Sequence, residues 1–132
     1  MGQPAAKQGD QAIGVDTHIV MVPSPNGQVP TPLPHPFAGV LDTNLSPDVR
    51  IEKRQAATNG SIATNTPAHI PTPPGVAFQV PPPNRGPVSG GSATVRINRR
   101  AAARAGDTVD SCDDLGVPGN SRIVAASTVR IG

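Results

Sequence analysis

Tryptophan and tyrosine are absent from this 132-residue chain, phenylalanine occurs twice, at Phe37 and Phe78, and cysteine once, at Cys112. Without aromatic volume an ordinary core loses its largest contributors. Proline and glycine are plentiful instead, at 17 and 14 residues, a composition close to that of low-complexity chains. A folded form therefore needs help beyond apolar burial, from a metal or a large partner. No apolar run is long enough to span a membrane, and the opening MGQPAAKQGDQ has no hydrophobic region of a signal peptide. Synthesis and assembly in the cytoplasm are expected. The net charge of +2 is small, so the total implies no strongly electrostatic partner. The length suits one domain, residues 1–132.

What the chain does have is repetition. VRIEKRQAATNGS at 49–61 aligns without a gap on VRINRRAAARAGD at 95–107, with Val, Arg, Ile, Arg, Ala, Ala and Gly coinciding. A third copy is split: the chain opens with PAAKQGD at 4–10 and closes with STVRIG at 127–132, the latter matching ATVRIN at 93–98. Internal repeats take precedence over other readings. If the copies are equivalent in space, Gly132 lies near Met1 and three units close into a ring. A chain with pseudo-threefold symmetry suits a partner with true threefold symmetry.

Period-two patterns predict short strands at Ile13 to Met21, Val76 to Val80, Val49 and Ile51, Val95 and Ile97, and Val129 and Ile131. Between them, 22–39, 65–75 and 80–91 read as extended proline-rich loops, since proline donates nothing to a ladder. Gly9, Gly60 and Gly106 mark corners where a positive φ is available. Propensity allows a helical turn at NRRAAARAG, but the polar turns ending the other copies argue against it.

Metal-binding residues are few: His18, His35, His69 and Cys112. His18 follows Ala5, and His69 follows Ala56, by the same interval. Cys112 stands a little closer behind Ala102. Each repeat thus delivers one ligand beyond its corner, and His35 in PLPHPF stands outside that phase. Three imidazoles and a thiolate form a tetrahedral zinc set, and iron suits the same donors.

Pro4, Ala5, Ala6 and Lys7 in PAAKQGD, and Ala101, Ala102, Ala103 and Arg104 in RAAARAGD, resemble the signature of the PAAR-repeat proteins. NTPAHIPTPPG and VPTPLPHPFAG look like the loops of PAAR-like members from contractile injection machines. The resemblance covers Pro4 to Gly132. It departs from the signature at Lys7, at Gln55 and Ala101 where proline is expected, and at Thr58 where arginine is. It implies a mainly β, small cone-shaped domain of three pseudo-symmetric strand-and-loop repeats. The base of such a cone sits on a trimeric β-helical spike, one copy per trimer. Its point holds a structural zinc through His18, His35, His69 and Cys112. The implied role is mechanical: a tip that sharpens the spike for envelope puncture in a type VI secretion-like or phage tail-like machine. The tip touches the target membrane transiently, and effector proteins are possible separate partners. The particle carries it out of the cell or into a target cell, and no nucleic acid is expected. Two other classes are open. A zinc-dependent hydrolase would need a carboxylate base, for which Asp16, Asp113 and Asp114 are near the ligands. A nucleic-acid binder would use Arg96, Arg99, Arg100 and Arg104, although no aromatic residue accompanies them for base stacking.

Overall fold

The three repeated corners set the architecture. In the computed structural model, which describes residues 2–132, the amide of Ala6 donates to the carbonyl of Ala103, Ala103 to Ala57, and Ala57 to Ala6, at 3.0, 3.0 and 3.1 Å. Three copies of one dipeptide thereby close a cyclic hydrogen-bonded ring. Alanine is required at its centre because all six ring alanines, Ala5, Ala6, Ala56, Ala57, Ala102 and Ala103, have no exposed surface. A larger side chain would push the three backbones apart.

No helix occurs among the described residues, and the chain is all-β. The strands are β1 (Gln3–Pro4), β2 (Gln11–Ser24), β3 (Gly27–Thr43), β4 (Arg50–Ile51), β5 (Arg54–Gln55), β6 (Ile62–Asn65) and β7 (Ala77–Phe78), followed by β8 (Arg85–Pro87), β9 (Arg96–Ile97), β10 (Arg100–Ala101), β11 (Thr108–Val109), β12 (Ser121–Val124) and β13 (Arg130–Ile131). On one side of the ring lie three two-residue hairpins, β4 with β5, β9 with β10, and β13 with β1. The third joins the two ends of the chain: Gln3 pairs Ile131 and Pro4 pairs Arg130. The turn positions have positive φ in every copy, at Glu52 and Lys53, at Asn98 and Arg99, and at Gly2, as tight hairpin turns demand. Beneath them Ile51, Ile97 and Ile131 pack with Ala5, Ala56 and Ala102 in a small apolar cluster.

On the other side of the ring each corner glycine, Gly9, Gly60 or Gly106, has φ near +90° and launches a strand. These outgoing strands, β2, β6 and β11, pair antiparallel or link through the sheet in the order β11-β12-β2-β3-β6-β8, with β7 on the far part of β2. A bridge between Val88, just past β8, and Val109 of β11 ties the two edges, so the sheet is nearly closed. Leu41, Val88 and Ile123, one from each returning segment, pack with Ala6, Ala57 and Ala103 and with Phe37, Val109 and Cys112 in the main core.

Residues 80–91, expected as a loop, carry the short strand β8 at Arg85–Pro87, and two larger expectations change. Residues 22–39 are not a loop: β3 pairs β2 continuously from Gly27 to Val40. Its prolines at 30, 32, 34 and 36 alternate, opposite Met21, Ile19, Thr17 and Val15. Alternation leaves Thr31, Leu33 and His35 to make the ladder bonds and aims every proline toward the strand's outer edge, the position in which proline is tolerated. The second change is to β2, expected as a short strand from Ile13 to Met21 but running from Gln11 to Ser24, with its apolar odd positions facing outward. Ile13 and Val15 are 44% and 54% exposed, while Ala12, Asp16, His18 and Val20 are buried. The inward polar pair builds the functional site.

Candidate metal centre

Along β2, Asp16 and His18 are two residues apart and so point to the same, inner face. Register places His35 of β3 opposite Asp16. His69 arrives on the proline-rich segment after β6, where its amide is held by the Asn84 side chain at 2.8 Å. Cys112 arrives on the segment after β11, next to Ser111, whose amide is held by the Asn120 side chain at 3.0 Å. Three repeats therefore send ligand-bearing segments to one place.

The ligand atoms of Asp16, His18, His69 and Cys112 lie within 4.8 Å of one another. The Asp16 carboxylate is the hub: its Oδ2 accepts from His69 Nε2 at 2.9 Å and from Cys112 Sγ at 3.2 Å, and stands 3.7 Å from His18 Nε2. Asp16, His18 and Cys112 are 0, 0 and 8% exposed. Burial raises the affinity of Asp16 for a proton, but hydrogen bonds from Ser111, His69, Cys112 and Asn120 outweigh it and hold the carboxyl below its usual range. Burial, reinforced by that carboxylate, pushes the Cys112 thiol up to about 12. A metal would replace the thiol proton there.

His18 Nδ1 meets Asp114 Oδ1 at 2.9 Å, which fixes the ring so that Nε2 faces the cluster. A carboxylate behind an imidazole is the usual orienting partner of a metal-bound histidine. Asp114 also accepts from the Ile19 amide, while Asp113 accepts from the Thr17 and Val117 amides. Of the three acids considered as a hydrolase base, Asp113 and Asp114 are engaged by these amides and by His18, while Asp16 lies within the cluster itself. An apolar cleft of 360 Å³ opens beside His35 and His69, and its walls carry no acid.

The structure brings His18, His69 and Cys112 together and seats His35, 2% exposed, against them. The His35 ring lies 5.2 Å from that of His18 and 5.6 Å from that of His69. Its Nδ1 donates to the Leu33 carbonyl at 2.9 Å and its Nε2 accepts from the Thr72 amide at 3.1 Å. Burial keeps this histidine below its ordinary pKa, and therefore neutral. In this arrangement Asp16 completes the group of four. The signal for Asp16 was its two-residue spacing from His18 on one strand. The donor set of two imidazoles, a thiol and a carboxylate, with a third imidazole alongside, suits one structural metal ion. No family model and no curated protein matches the chain.

Proposed function

We propose that the chain is a structural tip that caps the end of a trimeric β-helical spike in a contractile injection machine and stiffens its own far end with zinc. The cyclic Ala6, Ala103, Ala57 ring carries the reading, because it gives one chain three equivalent edges. The strand-and-turn units around it suit an end-on junction with three identical chains. Below the ring an apolar core is available. Beyond it the chain runs into loops rich in proline, where a metal held by His18, His69 and Cys112, with Asp16 or His35 as the further ligand, would cross-link what side-chain packing alone does not. The metal would supply coordination bonds, not chemistry on a substrate.

Mixing the chain with its spike protein and measuring mass by light scattering tests this reading. One copy per trimer is the expected result. Three copies per trimer, or no binding, overturns it.

A further inference from the structure

The three hairpins carry mostly positive charge, with Glu52 the one acid within them. Arg50, Arg96 and Arg130 occupy one register position, one per hairpin, and all are exposed. Each guanidinium reaches back over its own turn, to the carbonyl of Lys53 at 3.5 Å, of Arg99 at 3.4 Å and of Gly2 at 3.5 Å. The three are thus held alike. Lys53 and Arg99 add charge at the turns, while Arg54 and Arg100, the first residues of β5 and β10, lay their guanidiniums against the corners at Gly9 and Gly60.

Among the described residues none of these cations has a carboxylate partner; the ion pairs of Lys and Arg are Lys7 with Asp10 and Glu52, and Arg104 with Asp107. The two acids of this face are occupied: Glu52 accepts from Thr128 and pairs with Lys7, and Asp48 accepts from Asn98. A chain of net charge +2 therefore concentrates its positive charge on one face, where it creates a local field that the total conceals.

Symmetry makes the pattern specific. The hairpin entrance reads Val-Arg-Ile in all three copies, while the turn that follows varies between Glu52, Asn98 and Gly132. Ile51, Ile97 and Ile131 are buried and Val49 and Val95 pack against them. Arginine is the repeated residue that faces outward. Its planar fork matches a carboxylate in a way lysine does not.

We propose that this face docks on the end of a threefold-symmetric protein that presents one carboxylate per subunit, Arg50, Arg96 and Arg130 each taking one. The inference rests on the spike-tip reading and names what the blunt end of the spike must carry. A nucleic acid has no threefold axis to match three equivalent arginines, and this face has no aromatic residue to stack on a base.

Biolayer interferometry of the chain against the purified trimeric spike protein, at low and high salt, decides the matter. Arg50→Glu, Arg96→Glu and Arg130→Glu should each weaken binding about tenfold and by similar factors, Arg→Lys should restore only part, and added salt should weaken the wild type. Arg85→Glu, exposed elsewhere on the molecule, should leave binding unchanged. Variants that retain wild-type melting temperature and metal content but bind the trimer normally, or respond unequally, overturn the arginine assignment and leave the spike reading standing. A wild type that does not bind the trimer overturns both. Capture of a short DNA duplex with the same three-arginine dependence overturns the inference in favour of a polyanion.

Discussion

At the residue scale, two kinds of position matter most: glycines that turn corners and side chains that gather in the candidate metal cluster. Gly106 has φ +86° and nothing within 4 Å of where a Cβ would stand. Replacing it with alanine therefore isolates backbone strain, and Gly106→Ala should cost about 1–2 kcal/mol in chemical denaturation. A larger loss would mean that the corner also packs against something. Cys112 allows two tests. Because its thiol is pushed up to about 12 when no metal is bound, chelator-treated protein should react slowly with Ellman's reagent near neutral pH and progressively faster toward that value. Fast reaction near neutrality would show a thiolate already formed. Cys112→Ser should lose the metal measured by plasma mass spectrometry and lower the melting temperature by roughly 10 °C, corresponding to about 3 kcal/mol of lost coordination. Unchanged melting would mean that the metal is not structural. Three of the four clustered residues were readable because one repeat spacing puts His18 and His69 in phase and Cys112 near it. Asp16 was harder to place, since an acid near a turn has many ordinary roles. Its position became plain once β2 turned its even residues inward.

At the element scale, the β2 and β3 ribbon shows where composition misleads. Prolines at every second position of β3 look like a loop when counted, yet alternate spacing is compatible with a strand that needs only one edge. β6 takes up the other edge only from Gly39 to Thr43. From Pro30 to Pro36 the prolines leave no amide on this edge to recruit a foreign strand, which protects it from aggregation. Pro32→Thr with Pro34→Thr should keep the register with β2 and expose new donors. Self-association detected by light scattering at raised concentration is the expected outcome. A strictly monomeric double variant would show that other features guard this edge. The outward apolar positions, Ile13 and Val15, illustrate the same lesson. Periodicity identifies a strand, whereas which face is buried depends on what the other strands bring to each side.

At the whole-molecule scale, pseudo-threefold closure ties these pieces together. The hairpin turns interlock in sequence: Glu52 receives Thr128, Asn98 donates to Asp48, and Gly132 receives Ser92. Because β1 and β13 form the third hairpin, Gly2 and Gly132 meet where the other copies have a continuous turn, and Met1 lies outside the described residues. A circular permutant that joins Gly132 to the start through a short linker and opens the chain between Asn26 and Gly27 should fold and melt close to the wild type. Misfolding of such constructs would show that the split hairpin is not equivalent to the other two.

By itself the sequence determined the number of units, the residue types at each corner and three of the residues of the candidate metal cluster, because a repeat writes the same local geometry wherever it recurs. Tertiary structure decided that β3 is a strand, that Asp16 joins the cluster while His35 packs beside it, and that scattered arginines form one symmetric face. Those outcomes depend on which segments meet across the closed sheet and the alanine ring, and distances between segments far apart in the chain are set only when the ring closes.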